Sequence, residues 1–233
     1  MAAGVCVVLT LVLCAAGCGA LDVWTTTESG HPPPSVTCWC SSYPNKTFCS
    51  WTQPSNSTPP RYTATYSERL RPSDIKPCQL IAPDSSSPSL WHCHLPDLKL
   101  LTDYIVNITA VHSNGSCTHL TSFMVEDIVK PDPPTSIQVS SRNHSNIMVT
   151  WSPPPTWANL EIFPLKYEML YHYDHRGKTW TKRTGPFERT AAELKGLCPG
   201  RTYRFQVCAK ELLDLGQCST WSSPVQVTVP STI

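Results

Sequence analysis

The 233-residue chain lacks an excess of charge of either sign: 18 Lys and Arg stand against 17 Asp and Glu, mixed along its length for a net of +1. A polyanion or an anionic membrane surface needs a basic face, so neither is indicated and the expected partner is another protein. Catalytic signatures are missing too. There is no Gly-x-Ser-x-Gly, no His-Glu-x-x-His and no glycine-rich phosphate loop, which leaves a hydrolase without a nucleophile and base or a metal cluster. Trp91-His92-Cys93-His94 has zinc-ligand residue types, but a zinc site needs three or four ligands and no second Cys/His cluster stands nearby. No catalytic residue, metal ligand or cofactor is assigned, and no enzymatic role is expected. After residue 20 no run approaches the 18 or so apolar residues of a membrane span.

What is present points to export. Val5 to Ala16 is apolar, no side chain before Asp22 is charged, and Cys18-Gly19-Ala20 has the small residues of a cleavage site. Residues 1–20 read as a signal peptide, with a mature product expected to be soluble, secreted and extracellular. Five N-glycosylation acceptors follow, at Asn45, Asn56, Asn107, Asn114 and Asn143. Removing Cys6, Cys14 and Cys18 with the leader leaves nine of the 12 cysteines. That number is odd, so at least one is free or pairs between chains.

Turn signals at short intervals, 23 prolines and plentiful β-branched and aromatic residues predict an all-β protein of two sandwiches. The first is expected over 21–129 and the second over 130–233. In the first, Val36 to Trp39, Phe48 to Thr52 and Tyr62 to Tyr66 read as strands. Tyr104 to His112 and Thr118 to Glu126 are expected to face each other across an Asn114-Gly115 turn. Cys38 and Cys49 bracket one hairpin, and Cys78 and Cys93 a serine-rich loop, although spacing alone leaves three pairings open. Ile128-Val129-Lys130-Pro131-Asp132-Pro133-Pro134 reads as a short stiff elbow. In the second, Ile147 to Trp151 and Leu165 to Tyr173 alternate as strands, and Leu197-Cys198-Pro199-Gly200-Arg201-Thr202-Tyr203 reads as a tyrosine corner.

The stretch Cys218-Ser219-Thr220-Trp221-Ser222 stands just before the last strand, and there Cys218 occupies the first tryptophan position of a Trp-Ser-x-Trp-Ser box. Alternation through Tyr203 to Ala209 turns Arg204, Gln206 and Cys208 outward, and a three-per-turn extended segment puts Cys218 and Trp221 on that same side. A Cys208–Cys218 bridge with Trp221 stacked on Arg204 is the expectation, and two buried thiols are the alternative. Together Cys38, Cys49-Ser50-Trp51, Cys78, Cys93, the proline segment and the box resemble the cytokine-binding module of class I cytokine receptors, of the soluble type. That resemblance covers nearly all of the mature chain. It implies two fibronectin type III-like domains, short-range Cys38–Cys49 and Cys78–Cys93 bridges, and a helical cytokine alpha subunit bound at the elbow and secreted with the chain as a heterodimer. It also implies class I signalling receptors that assemble afterwards. The binding loops then map to Leu100 and Leu101 in the first domain, and to Glu161, Ile162, Phe163 and Glu211, Leu212, Leu213, Asp214, Leu215 in the second. Leu101, Phe163 and Leu213 are the expected anchors, with Glu161, Glu211 and Asp214 as a polar rim. Cys40, Cys117 and Cys198 depart from the family pattern. An adhesion or matrix protein built on tandem sandwiches is the other reading, and it would bring further repeats.

Overall fold

The computed structural model describes residues 23–26, 34–54, 59–113, 115–141 and 145–231. The expected leader and the acceptors Asn56, Asn114 and Asn143 lie outside them. No helix among the described residues is long and apolar enough to cross a membrane.

Two antiparallel sandwiches follow one another. In the first, β1 (Val23–Thr26), β9 (Gly115–Met124), β8 (Asp103–His112), β4 (Arg61–Glu68) and β5 (Lys76–Pro77) form one sheet in that spatial order. The other sheet runs β2 (Val36–Ser42), β3 (Lys46–Thr52), β7 (Leu90–Leu95), β6 (Gln79–Ile81). Period-two alternation does the sorting. Tyr104, Val106, Ile108 and Ala110 of β8 point inward and meet Tyr62 and Tyr66 of β4 and the fully buried Trp51 of β3. The last strand differs from expectation at both ends. His112 pairs with Gly115, so Gly115 opens β9 instead of serving the turn, and β9 stops at Met124. A 3-10 turn, Val125–Ile128, takes over and drives Val125 into the core.

The second sandwich pairs β10 (Thr135–Ser141), β11 (Ile147–Ser152) and β14 (Ala191–Leu194) against β13 (Lys178–Phe187), β12 (Leu165–His175), β15 (Thr202–Glu211) and β16 (Val225–Thr228). Val149, Trp151, Tyr167, Met169, Phe205 and Val207 fill the space between the two sheets. Each sandwich has a tyrosine corner. The Tyr203 hydroxyl accepts a hydrogen bond from the Cys198 amide at 3.0 Å, and Tyr104 accepts one from the Lys99 amide at 2.9 Å.

The bridges are Cys38–Cys49, Cys78–Cys93 and Cys208–Cys218. Cys40 and Cys117, both buried, and the exposed Cys198 lie outside them. Burial pushes the Cys40 thiol up, which keeps it protonated and poorly nucleophilic. Around the box, the Ser219 and Ser222 hydroxyls, three residues apart, each accept a hydrogen bond from a β15 amide, Ala209 and Val207, both at 3.0 Å. Between these two serines, the half-buried Trp221 meets a guanidinium at 5.8 Å. That guanidinium belongs to Arg183 of β13 and not, as expected, to Arg204. Register explains the difference. Ser222 is fixed at Val207, whereas Arg204 lies three residues further along, opposite Gln226. Arg183 is steered by its ion pair with Glu168, which faces Cys208 across β12 and β15.

The segment joining the sandwiches is held from both sides by main-chain hydrogen bonds. The Lys130 amide donates to the Cys40 carbonyl of β2 at 2.8 Å, and the Val129 carbonyl accepts from the Gln217 amide at 2.7 Å. Such an approach needs a residue without a side chain on the facing loop between β15 and β16. Gly216 supplies it, at φ +61°, where an added Cβ would fall 2.0 Å from the Val129 carbonyl oxygen. Gly216→Ala is expected to destabilise the protein by more than about 1 kcal/mol, read as a lowered urea midpoint. A second expectation concerns Tyr167, whose phenol burial pushes up from 10.0 to about 12. Its neutral form is favoured in the folded state, so this contribution is complete below pH 10 and is lost as pH rises from 10 towards 12. Ultraviolet titration should show Tyr167 ionising late, among a group of buried tyrosines that burial also pushes up (Tyr62, Tyr66, Tyr104 and Tyr203), together with base unfolding.

Candidate protein-binding interface between the sandwiches

Beside the pinned linker, loops of both sandwiches enclose an apolar cleft of about 310 Å³. From the first come Tyr43, Leu100, Leu101, Val125 and Glu126, and from the second Trp157, Phe163, Glu211 and Leu215, with Val129 of the linker at the base. The loop between β11 and β12 carries the contact across. Its Ala158 amide donates to Ser42 Oγ at 3.3 Å, and Asn159 Nδ2 donates to the Tyr43 carbonyl at 3.2 Å. Tyr43 meets Phe163 edge to face, 5.2 Å between ring centres. The buried Trp157 locks this loop by donating its indole N–H to the Phe163 carbonyl at 2.8 Å.

The expected binding residues divide into walls and rim. Leu100, Leu101, Phe163, Glu211 and Leu215 line the cleft. Ile162 and Leu213 do not line it, but stand on the same loops at 70% and 76% exposure, and Leu101 is 87% exposed. Glu161 is exposed, while Leu212 is half-buried and its amide donates to the Pro164 carbonyl, tying the two second-domain loops together. Phe163 and Leu215 also pack on the core of their own sandwich. Leu101 sits at φ +54°, held there by a 2.6 Å hydrogen bond from its amide to Glu126 Oε1. Left-handed geometry is costly for leucine, so its carboxylate tether is what presents this side chain outward.

Glu211 requires a correction. It is no rim charge: the residue is only 3% exposed, and Glu211 Oε2 accepts from the Leu213 amide at 2.6 Å and the Leu215 amide at 3.2 Å. The carboxylate replaces the missing backbone partners of a tight loop and thereby shapes it. Asp214 does stand at the surface, where Lys166 and Lys210, at 2.7 and 2.9 Å, hold its carboxyl below the usual range. Tyr43, Glu126 and Trp157 are site residues that sequence reasoning missed. Trp157 alone left a signal, a large aromatic inside a proline-rich loop. Glu126 Oε2 is buried without a hydrogen-bond partner, an unusual state for a carboxylate oxygen. Glu211→Ala is expected to lower stability by roughly 1.5–3 kcal/mol, because two amides lose a charged acceptor. Asp214→Asn, which keeps a residue suited to the φ of +70° there, should leave the urea midpoint almost unchanged, since ion pairs to a surface carboxylate contribute little.

Comparison with known proteins agrees with this architecture. Residues 34–123 match the family described as IL27B N-terminal FN3 domain, and residues 132–228 match the fibronectin type III domain. Human interleukin-27 subunit beta is 36% identical over 202 residues, covering 84% of this chain and 85% of that protein. The mouse interleukin-27 subunit beta is 33% identical over 222 residues, covering 89% and 94%. The interleukin-11 receptor subunit alpha of Pongo abelii is 28% identical over 240 residues, or 92% of this chain and 54% of the receptor subunit. Identity at that level along almost the whole length, on two fibronectin type III domains closed by three disulfides, places the chain in the interleukin-27 subunit beta family of class I cytokine-receptor-like proteins.

Proposed function

We propose that the chain is a secreted, soluble receptor-like subunit that binds a four-helix cytokine alpha subunit, of the interleukin-27 alpha or interleukin-12 alpha type, in the cleft between its sandwiches. The heterodimer would be an immunoregulatory cytokine, interleukin-27-like or interleukin-35-like, acting through class I signalling receptors at the cell surface. The role is binding and not catalysis, and it needs no cofactor. The observation that carries this reading is the junction itself. An apolar cleft walled by both sandwiches is ringed by Leu101, Ile162 and Leu213, three large apolar side chains left in water. Exposed apolar groups clustered on loops mark a surface that a partner covers. A helix laid across the mouth would reach the loops of both domains, and the proline-rich segment would set the bend between them. The unpartnered Glu126 Oε2 fits a helix that brings a donor, such as a lysine or arginine, into the apolar contact.

Affinity for co-expressed helical subunits, measured on secreted and correctly folded variants, tests the reading. Leu101→Ala, Phe163→Ala and Leu213→Ala should each cost about 1–3 kcal/mol of binding. Changes at Glu161 or Asp214 should act mainly on the association rate and its salt dependence. Wild-type affinity in all three anchor variants, with loss instead on changing the distant Ser85 loop, would contradict the assignment.

A further inference from the structure

Trp39 and Phe48 belong to neither core. Alternation turns Cys40 of β2 and Thr47, Cys49 and Trp51 of β3 inward, which sends Trp39 and Phe48 to the outer face of the sheet. Register sets Trp39 opposite Phe48, and Phe48 opposite His94. The rings touch along this rung: Trp39 to Phe48 is 5.8 Å between centres, Phe48 to His94 is 5.0 Å, and His92 meets Trp39 edge-on at 6.0 Å. The result is a continuous aromatic strip on a face that the protein itself does not use as core.

At one end of the strip stands Asn45, exposed in the turn between β2 and β3 and the first residue of Asn45-Lys46-Thr47. His94 joins the two, its Nε2 lying 2.7 Å from the Asn45 carbonyl oxygen and its Nδ1 3.0 Å from Gln79 Oε1. We propose that Asn45 carries an N-linked oligosaccharide whose first sugars lie over His94, Phe48 and Trp39. In the transfer step, Asn45 Nδ2 attacks the anomeric carbon of a lipid-pyrophosphate-linked oligosaccharide. The N–C bond forms as the C–O bond to pyrophosphate breaks, the lipid pyrophosphate leaves, and the amide proton passes to the transferase. Thr47, the hydroxyl residue of the acceptor motif, is 0% exposed in the folded sheet, so the transfer precedes the pairing of β2 with β3. Once attached, a pyranose ring presents an apolar face of C–H groups, whose positive edges suit the negative π faces of the strip. Its hydroxyls remain in water. A covalently tethered sugar binds intramolecularly, so even a weak contact is populated.

The test uses the full chain secreted from mammalian cells, together with its helical partner where secretion requires one. Peptide mass spectrometry should find Asn45 occupied. Asn45→Gln should lower Tm by roughly 2–4 °C, and the same change in a Trp39→Ser/Phe48→Ser background should leave Tm where that background sets it. Nuclear Overhauser contacts between the first sugar and the Trp39 indole are expected in the wild type, and they decide the matter if the aromatic variant is not secreted. An unoccupied Asn45, equal Tm losses in both backgrounds, or absent contacts would overturn the proposal. So would a wild-type dimer that Trp39→Ser/Phe48→Ser converts to monomer, since the strip would then cover a second copy of the chain.

Discussion

Two main-chain hydrogen bonds at the linker, Lys130 N–H to Cys40 and Gln217 N–H to Val129, fix what the rest of the molecule can present. Each sandwich has its own core, built on buried rings such as Trp51 and Trp151, but burial within each domain does not position one relative to the other. The linker does so with backbone groups, which side-chain changes leave in place unless a proline removes a donor or the glycine that lets them approach is replaced. Once Val129 is held, the turn at Tyr43 meets the loop at Phe163, and Leu101 and Leu213 are both left projecting beside the cleft. The loops themselves are set by carboxylates. Glu126 presents Leu101 and Glu211 shapes the Leu213 turn, so two of the charges in this apolar region build the surface instead of decorating it.

Strand positions were legible where one face meets a core and the other meets water. Tyr104, Val106, Ile108 and Ala110 announce β8, and Leu165 to Tyr173 announces β12. By contrast, β13 leaves no such pattern: Lys178 to Lys182 are exposed on both faces of an edge strand, so nothing selects for alternation. The second tyrosine corner is marked by Pro199-Gly200, while the first, at Tyr104, has no turn residues to flag it. Cysteine placement carried the bridge between Cys208 of β15 and Cys218 of the extended segment before β16, because period-two and three-per-turn spacing put both on one side. The cation over Trp221 could not be read the same way. It depends on a third strand, β13, and on the ion pair that steers Arg183.

The candidate site shows the same limit. Leu101, Phe163 and Leu213 could be named from their loops, but Tyr43, Glu126 and Trp157 come together from three separate stretches of the chain, through contacts that only the folded junction creates. Glu211 looked like a rim charge because a glutamate beside leucines in a loop has that composition. Whether a carboxylate faces water or two amides is decided by loop geometry, which composition does not encode.

Native-state hydrogen exchange of the Lys130 and Gln217 amides, followed beside a core amide such as Val207 in the protein without its partner, tests most directly whether the junction is formed in advance. A preformed cleft predicts that both exchange with protection approaching that of the core strand. Exchange of both at the rate of exposed loops, with Val207 still protected, would show that the sandwiches are free of one another and would contradict the account.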